Sequence, residues 1–250
     1  MTLLKGVSLP PSLKGSGHSW HDLWIKNNMP RRPLERTAHF PYHVTSRSNN
    51  REWFYIPIER VWEIFCLKMR DTAALYGSDF HTLVLMSNHF HLLLSTPFGN
   101  LDDVVRHLLT EVSRAIRKES GRQNHVFGTR YKWSILDSPY GVAYVYKYVL
   151  RNPVRPGICD SAQDYRYSTL IYPSDRSHPP ISEGFSGLWS LVHRRHEERV
   201  RWLDMPTPKE TEDLIRRGLK RRVFQFSKDN NDQKALRLLK SSYGVEPNLM

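Results

Sequence analysis

Two histidines flank one phenylalanine in the segment MSNHFHLLLST, which spans residues 86–96. The apolar residues around them predict a β-strand, in which alternate side chains point to the same face of the sheet. His89 and His91 should therefore share one face, and Phe90 should point the other way into the core. Two imidazoles so placed can bind one divalent cation; the alternative is a pair of surface histidines that contact only water or neighbouring side chains.

A second chemical signal lies in the segment GVAYVYKYVLRNPVRPGI, residues 141–158. Helical periodicity places its valines on a core face, with Tyr146 leaning towards that face. Tyr144, Tyr148 and Asn152 recur every four residues and form a separate stripe along the helix. If this stripe faces the histidine pair, Tyr148 can present its phenol beside the metal and Asn152 can supply a carbonyl oxygen as a third ligand. The alternative is a boundary stripe in which Asn152 only ends the helix.

A tyrosine beside a divalent cation has a use in phosphodiester chemistry. The phenol, with a reference pKa of about 10, is a weak nucleophile when free. A cation that polarises a phosphate oxygen makes the phosphorus more electrophilic. The product is a phosphotyrosine ester, which conserves the energy of the broken bond and lets the same site rejoin strands. These residues therefore predict strand transfer rather than simple hydrolysis.

The overall charge favours a nucleic-acid partner. The chain of 250 residues carries 37 Lys and Arg against 25 Asp and Glu, a net charge of +12, which attracts polyanions. Its two cysteines, Cys66 and Cys159, exclude a disulfide framework or a zinc-finger spacing and favour a reducing cytoplasm. The sequence has no apolar run near the roughly 18 residues that span a membrane, and its first residues lack the charged-then-apolar order of a secretory signal.

The elements that must position these groups follow the order β-α-β-β-α-β-α between residues 41 and 152. The predicted strands are YHVTSRS, DFHTLVLM, HFHLLLST and RYKWSILD. The predicted helices begin near Pro57, Asn100 and Pro139 and end near Gly77, Gly121 and Arg151. This is the ferredoxin-like arrangement of the α+β class with one added helix. Helices should cover one face of its antiparallel sheet and leave the other face free to hold a site.

Composition divides the chain into three predicted parts. Residues 1–40 are basic and rich in Pro, Gly and Ser, and should form a largely flexible arm. Residues 41–172 form the catalytic domain. Residues 173–250 form a basic helical appendage, with helices predicted over 185–202, from a capping box at 207–210, and over 231–242.

Three motifs taken together resemble those of a known family. HVTSRSNNRE, MSNHFHLLL and YVLRNPVRPGI are similar to the motifs of single-tyrosine HUH transposases, specifically the REP-associated tyrosine transposases of the IS200-like group. The resemblance covers residues 29–172. It implies that Tyr148 is the nucleophile, and that His89, His91 and Asn152 bind a divalent metal, most simply Mg²⁺ or Mn²⁺. The central antiparallel sheet would carry the HUH motif.

The resemblance also implies a substrate. The family cleaves single-stranded DNA near imperfect palindromes that fold into hairpins, and leaves a 5′-phosphotyrosine and a free 3′-OH. The expected protein is a monomer or a homodimer. Two other functions remain open: a protein that has lost catalysis and only binds DNA hairpins, and a metal-dependent RNA-processing enzyme with the same sheet architecture.

Nine residues are candidates for contacts with DNA, because cations and amides can bind phosphates and bases and an indole can stack on bases. They lie in the first turn, on the fourth strand and at the end of the tyrosine helix. The set is Arg47, Asn49, Asn50, Arg51, Arg130, Lys132, Trp133, Arg151 and Arg155. Taken singly, each arginine could instead be a solvated surface charge. The basic residues of the appendage could grip a duplex stem or simply form a charged helix face.

Overall fold

The computed structural model describes residues 36–172, 179–182 and 187–226. The order of its helices and strands is β1 (Tyr42–Arg47), α1 (Ile58–Tyr76), β2 (Asp79–Leu85), β3 (His89–Ser95), α2 (Leu101–Ser120), β4 (Lys132–Ile135), α3 (Pro139–Leu150), α4 (His196–Asp204) and α5 (Lys209–Gly218). The predicted β-α-β-β-α-β-α order is confirmed. The first 35 residues of the predicted arm and the helix predicted over 231–242 lie outside the described residues.

The four strands form one antiparallel sheet in the order β2-β3-β1-β4. This is the strand order of the predicted ferredoxin-like fold. The two central strands, β1 and β3, pair so that Thr45 lies opposite His91 and Arg47 lies opposite His89. The histidine motif therefore sits on a central strand, with neighbours on both sides.

The first face of the sheet packs against α1 and α2 and holds an apolar core. Phe90 points into it, as predicted, and its ring lies 5.2 Å from that of Phe65 on α1. The predicted apolar stripe of α2 is buried along the whole helix. Burial of one such aromatic side chain contributes roughly 1.5–3 kcal/mol, so this face is a main source of stability.

The second face of the sheet is covered as well, which the sequence did not predict. Val84 and Leu93 pack in one cluster with the valines of α3, and Trp202 of α4 and Ile215 of α5 complete that cluster. The reason lies in α3 itself: every residue from 141 to 150 is buried, and a largely apolar helix of this kind needs protein on all sides.

The capping signals in the sequence predict the start of one helix correctly and the start of another incorrectly. α3 begins as predicted, with Pro139 in its first turn and the Ser138 hydroxyl accepting a hydrogen bond from the Gly141 amide. The capping box predicted at 207–210 does not form. α5 begins at Lys209 with Pro208 at the cap position and no side-chain cap bond.

Residues 187–226 pack back onto the rest of the fold. The helix predicted over 185–202 is shorter in the structure, because α4 begins only at His196. Further on, Ile135 donates its amide to the Arg222 carbonyl and accepts from the Phe224 amide, each at 2.8 Å. These bonds cover the outer edge of β4. No helix among the described residues is long and apolar enough to cross a membrane.

Candidate active site

β3 brings the two histidines of the motif to the second face of the sheet, since alternate residues of a strand share a face. The ring centroids of His89 and His91 are 5.3 Å apart and the rings are nearly perpendicular. His91 is 8% exposed, and His89 is half-buried. The pair is therefore part of a packed site rather than an open surface.

His43 of β1 is a third imidazole of this cluster, and it is absent from the predicted site. Its Nε2 lies 2.8 Å from Nδ1 of His91, and the two rings stack at 5.1 Å. The pairing of β1 with β3 explains the contact, because Thr45 opposes His91 and His43 follows on the same face. The signal was present in YHVTSRS, whose alternation puts His43, Thr45 and Arg47 on one side.

Asn88 holds the other imidazole. Its Oδ1 lies 2.8 Å from Nδ1 of His89, and its Nδ2 donates to the Arg51 carbonyl at 2.8 Å. Because an amide oxygen can only accept, Nδ1 of His89 carries the proton and Nε2 carries the lone pair. Both histidines of the pair thus engage a neighbour through Nδ1, which leaves Nε2 as the atom with which each could bind a cation.

α3 presents Tyr148 to this cluster. The Tyr148 and His91 rings are 6.0 Å apart and perpendicular, and Tyr148 is 7% exposed. Asn152 follows one turn later, and its side chain is near enough to His89 to raise the pKa of that imidazole, against the larger lowering by burial. The structure therefore brings together His89, His91, Tyr148 and Asn152, the four residues that the sequence singles out.

The neighbouring tyrosines of α3 point elsewhere. Tyr146 stacks on Trp202 of α4 at 6.4 Å between ring centroids. Tyr144, one turn before Tyr148 on the predicted stripe, contacts Phe226 at 5.7 Å. Only the last part of the stripe reaches the histidines.

Arg155 lies over the Tyr148 ring, with its guanidinium carbon 4.3 Å from the ring centre. Its Nε is also 3.9 Å from a carboxylate oxygen of Glu212 on α5, a carboxyl whose pKa is raised by burial. α5 thus reaches the candidate site. The sequence assigned α5 only a possible grip on a duplex stem, and no local pattern marks Glu212 as a partner of Arg155.

The imidazoles of the cluster are held neutral. Burial lowers the pKa of His43 to about 3. Burial, with a smaller contribution from Arg47, lowers the pKa of His89 to about 4. Burial and then the charge of His43 lower the pKa of His91 well below its usual value. Neutral imidazoles have a lone pair to offer a metal.

The donor set fits a divalent cation. It consists of two imidazole nitrogens and the Asn152 amide oxygen, which suits Mn²⁺ and, with further oxygen ligands, Mg²⁺. Nδ2 of Asn152 is buried with no hydrogen-bond partner in the described part of the chain. No group of three or more His, Cys, Asp or Glu side chains that could hold a metal occurs among the described residues.

The candidate DNA-binding residues divide between the two faces of the sheet. Arg47 opposes His89, and Lys132 opposes Thr45, so both belong to the site face. The turn Asn49–Arg51, which holds three further candidates, is tied to His89 through Asn88. These residues and Arg155 surround the cluster.

Two candidates on the fourth strand and its approach lie on the other side of the sheet. Trp133 opposes Val44 of the first core, and Arg36 stacks over its ring at 4.0 Å. Arg130 pairs with Asp102 of α2 at 3.2 Å. Arg36, which the sequence places in the flexible arm, binds the same carboxylate at 2.8 Å.

The last candidate, Arg151, helps to hold α3 in place. Its Nη1 donates to the Leu203 carbonyl at 2.6 Å, and Lys147 donates to the Trp202 carbonyl at 2.7 Å. Burial lowers the pKa of Lys147 to about 8. Cations at the C-terminal end of a helix satisfy carbonyls that lack intrahelical partners, so these two side chains fasten α4 to α3.

Comparisons with known proteins find a family model that matches the central part of the chain. Residues 37–152 match the family model described as "Transposase IS200 like". This segment contains His43, His89, His91, Tyr148 and Asn152, whereas Arg155 and Glu212 lie beyond its end. No curated protein matches the chain.

Two solved structures are similar to the chain. One is the structure of a REP-associated tyrosine transposase bound to a REP hairpin, which is 14% identical, with a TM-score of 0.49 over 63% of this chain and 93% of that one. The other is described as a candidate transposase from Deinococcus radiodurans R1, and it is 19% identical, with a TM-score of 0.34 over 49% of this chain and 95% of that one.

Proposed function

We propose that this chain is a metal-dependent endonuclease and strand transferase for single-stranded DNA, with Tyr148 as its nucleophile. The segment that matches the IS200-like transposase model, residues 37–152, would be its catalytic domain. The observation that supports this most is the 6.0 Å contact between the Tyr148 and His91 rings. It joins a phenol from α3 to neutral imidazoles from β3 in one chain. The proposed metal-assisted transfer would use both, and they reach the site from separate parts of the sequence.

The reaction exchanges one phosphoester bond for another. Oη of Tyr148 attacks the phosphorus of a DNA phosphodiester, and an Oη–P bond forms as the P–O3′ bond breaks. The phenol gives up its proton to solvent, and the departing 3′ oxygen takes up a proton to become a hydroxyl. The DNA stays attached as a 5′-phosphotyrosine ester. Attack by a 3′-OH on that ester reverses the exchange and joins strands.

His89, His91 and Asn152 would hold the divalent cation, Mg²⁺ or Mn²⁺, with Nε2 of each ring and the amide oxygen as ligands. When bound, the cation polarises a phosphate oxygen and offsets the charge that develops during displacement. His43 and Asn88 fix the two rings through Nδ1. Arg155, now paired with Glu212 at 3.9 Å, can exchange that carboxylate for a phosphate, which is a strong guanidinium partner.

We propose hairpin-forming repeat DNA as the substrate. The three motifs that resemble the REP-associated branch support this choice, and the net charge of +12 suits a polyanion. A protein that binds such hairpins without cleaving them is the main alternative. It would keep the basic surface and the fold but would form no covalent adduct.

The test is a labelled DNA hairpin with single-stranded flanks, incubated with Mg²⁺ or Mn²⁺ and analysed on a denaturing gel. The native protein should form an SDS-stable adduct that disappears in EDTA and in Tyr148→Phe. Tyr146→Phe is the matched control, because this tyrosine of the same helix packs on Trp202, and its variant should keep the adduct. An adduct that persists in Tyr148→Phe would exclude that nucleophile.

Absence of any adduct over a panel that includes chromosomal repeats would exclude the nuclease. Tight binding that survives EDTA would then favour the silent hairpin-binding protein. Competition with an RNA hairpin of the same sequence distinguishes an RNA-processing enzyme, since RNA would then displace the labelled DNA at equal or lower concentration.

A further inference from the structure

The loop between β1 and α1 carries a large aromatic side chain that the described residues leave mostly exposed. Trp53 is 77% exposed, whereas the next residue, Phe54, is 2% exposed. Single exposed apolar residues are common on protein surfaces. What distinguishes Trp53 is the backbone that carries it and the groups beside it.

That backbone is strained on both sides of the tryptophan. Among the described residues, the non-glycine residues with positive φ are Asn50 at 54°, Arg51 at 61° and Tyr55 at 67°. All three lie within three positions of Trp53. Left-handed conformations of such residues persist only where surrounding contacts determine them, and they cluster at functional sites.

The surrounding contacts are present and fix the loop. The Ser48 amide donates to the Asn88 carbonyl at 2.8 Å, and the Asn88 side chain donates to the Arg51 carbonyl at 2.8 Å. Inside the loop, the Phe54 ring meets the Phe127 ring at 6.0 Å. Contacts on both sides of Trp53 therefore fix the loop of residues 48–57, and Trp53 projects from a fixed backbone.

The same loop is joined to the candidate active site. Asn88 binds the Arg51 carbonyl with its amide nitrogen and Nδ1 of His89 with its amide oxygen. One side chain thus links the loop to a proposed metal ligand. Trp53 lies two residues beyond Arg51, so it belongs to the end of the sheet where β3 begins with the histidine motif.

Two arginines beside the tryptophan, Arg47 at the end of β1 and Arg51 in the loop, are available to bind a ligand, whereas Glu52 of the loop pairs with Arg122 at 3.4 Å. Both arginines are exposed, and neither forms an ion pair within the part of the chain that the structure describes. By contrast, Arg106, Arg114 and Arg216 on the helices each pair with an acidic residue three positions away. An aromatic face beside uncompensated cations is the combination that binds single-stranded nucleic acid.

We propose that Trp53 is a stacking platform for an unpaired base of the DNA at the active site, with Arg51 on the adjacent phosphate. This inference rests on the proposed function and adds a specific contact to it. Every nucleobase offers a π-face, so the platform would recognise the unpaired state of the base rather than its identity. It would therefore help to select the single-stranded flank of a hairpin over its stem.

The test measures binding without cleavage. Tyr148→Phe protein in EDTA is titrated with a labelled hairpin that carries single-stranded flanks, and affinity is followed by anisotropy. Adding Trp53→Ala should weaken binding about 5- to 150-fold, the range for loss of one stacked base, whereas Trp53→Phe should retain most of it. Phe98→Ala is the matched control. Phe98 is 75% exposed but follows the far end of β3, so its loss should change affinity less than twofold.

Two further readouts separate stacking from a general loss of charge or fold. The dependence of affinity on salt should be unchanged in Trp53→Ala, while Arg51→Ala should lower its slope by about 1. An abasic scan of the flank should find one position whose missing base weakens binding in the Trp53 protein and has no further effect in Trp53→Ala.

The outcomes distinguish the two proposals. If Tyr148→Phe protein with Trp53 intact does not bind single-stranded DNA, the proposed function fails and this inference fails with it. If that protein binds but Trp53→Ala binds within twofold of it, or loses plain duplex equally, the platform alone is wrong. Trp53→Ala could also bind more weakly while every abasic position still lowers its affinity by as much as in the protein with Trp53. In that case the side chain does not stack on a base.

Discussion

β1 and β3 present alternate residues to two faces, and the faces differ in what they bury. On the first, Val44 and Phe90 meet the apolar side chains of α1 and α2. On the second, His43 and His91 are also buried, but their ring nitrogens contact each other at 2.8 Å. Burial of apolar surface stabilises the fold, whereas burial of an imidazole costs free energy that appears as a lowered pKa.

This difference indicates which face was shaped for stability and which for chemistry. A chain that needed only a sheet would fill the second face with valine and leucine, as it does at Val84 and Leu93. It instead keeps three imidazoles, a phenol and an amide in one cluster. Sites that break the local rule in this way are where function is expected.

The largest effect should come from the first face. Phe90→Ala removes a ring that packs on Phe65 in the apolar core, and should lower the free energy of unfolding by about 3–5 kcal/mol. Tyr148→Phe, which removes one hydroxyl from the second face, should lower it by less than about 1 kcal/mol. Chemical denaturation of both variants measures this. Equal losses would mean that the two faces contribute alike to stability.

Acid should act through the second face. The folded-state pKa values of His43 and His89 are about 3 and about 4, below the unfolded value of about 6.5. Between pH 6.5 and 4.5 the unfolded chain therefore binds protons that the folded chain does not, so stability falls as pH falls. Denaturation in EDTA across this window should show the decline, and His43→Asn should make it shallower. If the free energy of unfolding does not change with pH in this window, the histidines of the cluster are not held neutral in the folded protein.

A smaller effect concerns metal affinity. His43→Ala removes the partner of Nδ1 on His91, and loss of such an outer contact typically weakens metal binding about 10- to 100-fold. His81→Ala is the matched control, because His81 is also buried but bonds Ser95 and Ser182. Calorimetric titration with Mn²⁺ should separate the two variants. An equal loss of Mn²⁺ affinity in both variants would mean that His43 acts only through packing.

The smallest effect compares two arginines. Arg47 lies on the site face, and Arg47→Ala should weaken DNA binding and reduce its salt dependence by about one counterion. Arg130→Ala removes an exposed pair with Asp102 and should change stability by less than about 1 kcal/mol, with less effect on DNA affinity than Arg47→Ala. If anisotropy shows that Arg130→Ala weakens DNA binding more than Arg47→Ala does, the DNA binds on the α2 side of the sheet instead.

Most of the correct predictions from the sequence depend on local strand and helix geometry. Strand alternation put His89 and His91 on one face, and helical spacing separated Tyr148 from Tyr146. The same rule could have removed Trp133, since adjacent Lys132 and Trp133 cannot share a face. Their functional roles stay predictions.

Contacts that depend on tertiary packing could not be read from the chain. The approach of His43 to His91 requires the register of β1 against β3, which no short pattern gives. The pairing of Arg155 with Glu212 requires the docking of α5. The cover on the second face follows from the all-round burial of α3, which periodicity alone described as one core face and one polar stripe.

The fastening of α3 by Lys147 and Arg151 has a consequence for how the molecule can be shortened or tuned. The matched family segment ends at residue 152, yet the carbonyls that these two side chains grip belong to Trp202 and Leu203. A chain cut back to the matched segment would retain His89, His91, Tyr148 and Asn152 but lose the two carbonyls that anchor α3. We therefore expect a change that loosens α4 to shift the Tyr148 phenol relative to the histidines while leaving all four side chains in place.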